Sequence, residues 1–242
     1  MSRDFQQTHE NLLACAKKHF LENGFERASI REICKAAHVT NGAFYNHFED
    51  KEALFGALVE PVVQAVSEMY SDSVIKHFEL ARTDELKQLW KLSEDTIRQI
   101  IEYIYEHFDV FKLLLMQSAG TKYASFLDDV VRSDVRETQK LIAELKERGV
   151  PVHDLEDDEW HMLVHSYYSS IAEIVLHNYP KDAAIKYAHT LAAFFSSGYD
   201  QSYIPLVIIP SHPPSTSSRR TFTHSSRVTF SRGSRRRSQF IL

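Results

Sequence analysis

Residues 29–48 read Ser29-Ile30-Arg31-Glu32-Ile33-Cys34-Lys35-Ala36-Ala37-His38-Val39-Thr40-Asn41-Gly42-Ala43-Phe44-Tyr45-Asn46-His47-Phe48. Ser29 with Glu32 three residues on is the pattern of a capping box, in which each side chain bonds the other's backbone amide. It opens a helix over 30–37 with Ile33, Cys34 and Ala37 inward. The small Ala36 and Ala37 let another helix approach closely. Three residues later Thr40 caps a second short helix. Phe44 and Phe48, at i and i+4, face the core of the first helix. Gly42, Ala43, Tyr45 and Asn46 fall on the opposite side. A supporting helix, a tight turn and a second helix with a slim outer face make a helix-turn-helix, which fits the major groove of DNA. Asn41 and Ala43 are residue types that meet base edges, and Tyr45, His47 and Lys51 suit phosphates. Lys51 also starts a helix opening at Asp50, where free amides favour anions. Residues 1–52 hold seven basic and eight acidic residues, so no basic footprint supports the pattern.

Upstream, Leu12, Cys15, Ala16, His19 and Phe20 line one stripe of a helix over about 8–23. Gly24 suits a left-handed cap there, with Phe25 folding back on the helix. Downstream, a helix from Asp50 to about His77 contains Pro61, which removes a ladder hydrogen bond and predicts a kink, and so a hinge for coupling. Residues 84–118, 125–148, 155–178 and 181–197 carry apolar residues at helical spacings. Gly149-Val150-Pro151 and Asn178-Tyr179-Pro180 are stop signals. No stretch alternates with period two, so the body is all-α. The division expected is a helix-turn-helix head over 1–60, a helical ligand-binding and dimerisation part over 61–200, and a tail over 203–242.

The chain has 242 residues and a formal charge of −5, but the charge is split. Residues 203–242 contain seven Arg and no acid, leaving 21 basic against 33 acidic residues in 1–202. Nine Ser, seven Arg and four Pro in that tail predict disorder. It is either a basic arm for nucleic-acid phosphates or the mark of an altered reading frame. No run is long and apolar enough for a membrane helix, and residues 1–7 are too polar for a secretory signal. Two cysteines, Cys15 and Cys34, fit a reducing cytoplasm and exclude a Cys-rich zinc module.

Residues 8–58 resemble the DNA-binding domain of the tetracycline-repressor (TetR) family. The resemblance rests on Leu12-Leu13-Ala14-Cys15-Ala16, Phe20, Asn23-Gly24-Phe25-Glu26, the whole of 29–48 except His38, and Asp50-Lys51-Glu52-Ala53-Leu54. His38 stands where the family usually has a Gly of positive φ, a conformation His tolerates better than β-branched residues do. The resemblance implies a cytoplasmic homodimer on a near-palindromic operator, released by a small-molecule effector, most often as a repressor. Residue by residue it implies that Asn41, Gly42 and Ala43 read bases. Ser29, Thr40, Tyr45, His47 and Lys51 would hold the backbone, with Asn46 on the same face. It also implies a dimer through 155–197. That pair of helices carries wide apolar faces, Leu163, Val164, Ile171, Ile174, Val175 and Leu176, then Ile185, Leu191, Ala192, Phe194 and Phe195, which need cover.

The effector pocket does not carry over by resemblance. Several Tyr in one bundle point to an amphipathic ligand between helices. The candidate lining is Trp90, Tyr103, Phe108, Phe111, Met116, Tyr123, Phe126, His161, His165 and Tyr168. His161 and His165, at i and i+4, have the spacing of two metal ligands, but no third ligand is evident, so neither metal nor cofactor is expected. A metal-dependent enzyme using this pair, and an effector-free DNA-organising protein, are the alternatives. No phosphate loop, nucleophile elbow or catalytic carboxylate pair favours an enzyme.

Overall fold

The computed structural model describes residues 3–82, 88–150, 152 and 155–202, with the side chains of 3, 88–94 and 196–202 outside that description. The predicted tail and the Trp90 side chain therefore lie outside the described residues. Within them every element is helical: α1 (Arg3–Arg27), α2 (Ile30–Ala36), α3 (Asn41–Phe44), α4 (Lys51–Ala81), α5 (Gln88–Glu106), α6 (Phe108–Met116), α7 (Phe126–Glu147), α8 (Asp157–Leu176) and α9 (Lys181–Ser202).

The stripe read on α1 is buried as its spacing requires. Leu12, Ala16 and Phe20 are closed to solvent, while Cys15 and His19 are half-buried at its border. Phe20, Phe25 and Phe55 form a ring cluster, with both Phe20 and Phe25 edge-on to Phe55 at 5.1 and 5.5 Å. α1 turns sharply at Gly24, whose φ of 76° and ψ of 164° lie outside the left-handed helical cap expected. That region is essentially closed to residues with a Cβ.

Three later helices end alike. The His38 N–H donates to the Lys35 carbonyl and the Val39 N–H to the Cys34 carbonyl, at 3.3 and 3.0 Å. Gly149 and Val150 repeat this after α7, and Asn178 and Tyr179 after α8. All three are Schellman motifs, with His38, Gly149 and Asn178 at positive φ. The turn of the helix-turn-helix is thus an ordinary helix stop with a His where Gly is least strained.

Some readings are corrected. Ser29 gives no side-chain cap. Its N–H points at His19 Nε2, 3.4 Å away, and the Glu32 carboxylate lies 3.2 Å from the same nitrogen. A tertiary partner has displaced the local capping box. The apolar run over 84–118 breaks at His107 (φ −124°, ψ 32°) into α5 and α6. α4 passes through Pro61 as one continuous helix and ends at Ala81, four residues beyond the expected end.

One hydrophobic core joins head and body, from Leu12 and Phe44 through Ile101 and Leu113 to Ile174 and Leu191. Val131, Trp160 and Val164 form a second cluster between α7 and α8. Val164, Ile171, Ile174, Val175 and Leu191, assigned by sequence to a face needing outside cover, are buried within this chain. What stays exposed on α8 and α9 is Met162 (66%), Leu163, Ile185 and Phe194 (72%).

The Gly24 conformation makes a stability prediction. Gly24→Ala should lower the unfolding free energy by about 1–3 kcal/mol, because the backbone is strained and a Cβ would meet Gln117 Oε1 at 2.9 Å. Urea denaturation of the two proteins measures it.

Candidate nucleic-acid interface

α3 is presented by its two ends. Thr40 accepts from the Ala43 N–H at 3.1 Å, closing the first turn. Phe44 is fully buried and Phe48 nearly so, fixing the inner side. Asn41, Gly42, Tyr45 and Asn46 are exposed, Tyr45 at 59%, and Ala43 is half-buried. A Cβ at Gly42 would meet nothing closer than Thr40 Oγ1 at 3.8 Å, so the outer face there is open. The exposed phenol of Tyr45 stands edge-on to the anchored Phe44 at 5.1 Å. The structure therefore brings the expected base-reading group together on one solvent-facing surface.

Three residues expected at the DNA backbone sit differently. The Lys51 ammonium donates to the carbonyls of Phe25, Glu26 and Ala28 at 2.7, 3.2 and 3.1 Å. It also lies 4.4 Å from the Phe25 ring centre. Its three N–H groups are all engaged, closing the turn after α1 rather than reaching for a phosphate. His47 is half-buried, with its ring 4.0 Å from that of Phe5 and 5.5 Å from that of His9. Its Nδ1 is enclosed without a hydrogen-bond partner. Burial, with the neighbouring His9, holds it below the ordinary His pKa, so it is a neutral packing group at pH 7. Ser29 is half-buried beside His19.

Two cations not singled out from sequence are exposed on α2: Arg31 and Lys35, at i and i+4 opposite the buried Ile33 and Cys34. Their spacing on the outward face of a supporting helix was the available signal.

The head is also held from the body. The Phe25 N–H donates to the Gln117 carbonyl at 3.0 Å, and the Lys122 N–H to Glu52 Oε1 at 3.0 Å. Tyr123 donates to Glu60, and its ring lies 6.0 Å from that of Phe55.

Of the ten residues expected around an effector, the nine with described side chains sit in different settings. Phe111 and Tyr123 are core, and Met116 is exposed. Phe108 and Phe126 are half-buried against the core, Tyr103 packs edge-on to Phe111, and Tyr168 belongs with α7. His161 is exposed, its ring 5.9 Å from that of His165, and Ser169 Oγ is 3.2 Å from His165 Nδ1. Among the described residues no group of three His, Cys, Asp or Glu side chains could hold a metal, and no helix is long and apolar enough to cross a membrane.

Comparison with known proteins points the same way as this surface. The family model for bacterial regulatory proteins of the tetR family matches residues 12–58. The HTH-type transcriptional regulator UidR of Escherichia coli K12 is 41% identical over 59 residues, covering 24% of this chain and 30% of UidR. The chain thus matches less than a third of that relative's length. The HTH-type transcriptional repressor DhaR of Mycobacterium sp. is 29% identical over 163 residues, covering 62% of this chain and 72% of DhaR. A solved member of the TetR transcriptional regulator family from Streptomyces coelicolor A3 superposes with a TM-score of 0.50 over 76% of this chain and 88% of its own. At 19% identity that likeness speaks to fold alone.

If Lys51 closes the α1 turn, Lys51→Met should lower the unfolding free energy by about 1.5–3 kcal/mol, the range for hydrogen bonds to a charged donor. Denaturant titration reads this; an unchanged midpoint would return Lys51 to the solvent-facing role.

Proposed function

We propose that this chain, a tetR-family protein by its N-terminal domain, is a DNA-binding transcription regulator, a repressor in its simplest form, that a small-molecule effector releases from its operator. The observation that carries the reading is the α3 surface. The residues that stand exposed over a buried Phe44 anchor lie inside the family match. Asn41, Gly42, Ala43, Tyr45 and Asn46 are the base-facing set. Thr40 serves by closing the first turn. Lys51, Ser29 and His47 act as positioning residues of the head, and Arg31 and Lys35 supply exposed positive charge. Residues 1–60 form the reading head and 61–200 the sensing and pairing part, in a cytoplasmic protein that needs neither metal nor cofactor.

Two chains would pair through α8 and α9. The four residues His177–Pro180 reverse the chain, and the Tyr167 ring lies 5.1 Å from that of Phe195, so Met162 and Phe194 belong to the same end of this hairpin. Their exposure supports a self-complementary patch, and a two-fold pair would present α3 twice to a near-palindromic site, about 34–36 Å apart. Coupling to an effector has two routes: the continuous α4, and the α6 end, where Gln117 and Lys122 bond Phe25 and Glu52. An effector-free DNA-organising protein would bind without sequence preference.

A gel shift with DNA from around its own gene tests the reading. A specific, salt-sensitive shift is expected, weakened at least about tenfold by Asn41→Ala or Tyr45→Ala. Specific binding retained in both variants would remove α3 from the interface. Phe194→Asp should convert the pair to a single chain on a sizing column, and a native single chain would end the dimer reading.

A further inference from the structure

We propose that Asp134, where α4, α7 and α8 meet between Tyr70 and Tyr168, is the group that selects the effector, and that the effector is a small organic cation of the ammonium type carrying an apolar or aromatic body. This rests on the reading of the chain as an effector-responsive regulator. Tyr70 donates to Asp134 Oδ1 at 2.9 Å, and the Tyr168 phenol adds to the electrostatic surroundings of the same carboxylate. Both partners are neutral. Among the described residues no Lys, Arg or His forms an ion pair with Asp134. The nearby cations of α7 are engaged elsewhere: Arg132 with Asp129 at 2.9 Å, Arg136 and Lys140 with Glu137 at 3.4 and 2.8 Å. Glu137 is thereby compensated by its own two cations and leaves none of them for Asp134.

The neighbourhood is otherwise apolar and aromatic. Tyr168 packs against Val131, Trp160 and Val164, and its ring meets that of Tyr167 edge-on at 5.3 Å. A carboxylate placed here with only phenols for company is under-compensated, and burial holds it above the usual carboxylate range. A ligand cation would supply the missing charge, and the tyrosine rings give it π faces. An anion would be repelled.

A polar strip continues from Tyr70 along one face of α4. Tyr70, Ser73 and His77 share that face, with Ser73 Oγ 3.2 Å from Thr96 Oγ1 of α5 and His77 Nδ1 2.7 Å from the Ser73 carbonyl. Burial pushes His77 below its ordinary pKa, so at pH 7 the strip brings no competing cation. Of these residues, only Tyr168 was in the lining expected from sequence.

The test uses the full chain and three matched probes: 2-phenylethylammonium, 2-phenylethanol and phenylacetate, at equal concentration and ionic strength. Only the ammonium should raise the thermal midpoint, by about 3–6 °C at ten times its Kd. Asp134→Asn keeps an oxygen to accept from Tyr70, so it should fold with a midpoint no lower than the parent and lose the response. Tyr168→Phe should weaken it and is the second readout if the Asn variant does not fold. Equal shifts from the alcohol, no shift from the ammonium at 10 mM, or an undiminished response in either variant would overturn the assignment. A gel shift on the same unliganded sample separates the two readings. Loss of specific DNA binding there would sink the regulator while a cation-selective shift would leave the Asp134 site standing.

Discussion

The turn over residues 24–28 is the constraint on which the head depends. Gly24 enters it with a backbone that only glycine adopts freely. Lys51 then ties the Phe25, Glu26 and Ala28 carbonyls from the start of α4, and Gln117 takes the Phe25 N–H from the end of α6. One short turn at the end of α1 is thereby bonded to α4 and to the end of α6. The rings of Phe20, Phe25 and Phe55 fill the space beneath it. Without this joint α2 and α3 would lose their fixed relation to α1 and α4, and an exposed Asn41 or Tyr45 would have no defined aim.

Much of this was legible because it is local. The i, i+4 spacing of Phe44 and Phe48, the Thr40 cap and the stop at Gly149 are short-range facts, and the structure carries each of them. What sequence reading missed involves partners distant in the chain. Ser29 and Glu32 have the pattern of a capping box, yet His19, ten residues before Ser29, lies against both. Lys51 has the charge and position of a phosphate contact, but carbonyls 23–26 residues away claim its ammonium. Spacing does not show which neighbour a long polar side chain will choose.

The body repeats the lesson in a harder form. Asp134 sits on a helix rich in acids and reads as one more solvated charge, until α4 and α8 place Tyr70 and Tyr168 on it. The described aromatic residues of the expected lining are spread among core, surface and helix contacts, because Phe and Tyr spacing alone does not separate a packed interior from a ligand site. The apolar faces of α8 and α9 were mostly consumed inside the chain. Only a few side chains remain to interest a second copy, Met162 and Phe194 foremost.

α4 begins beneath the DNA-facing unit and ends deep in the body, 31 residues later, without a break. At 1.5 Å per residue it is a rod about 46 Å long. A rigid rod turns small angles into large travel. Pivoting by about 3° about one end carries the other through roughly 2.4 Å, close to the length of a hydrogen bond. A slight rearrangement of side chains around Tyr70 or Ser73 is therefore mechanically sufficient to displace the far end of α4, with no unfolding anywhere along the way.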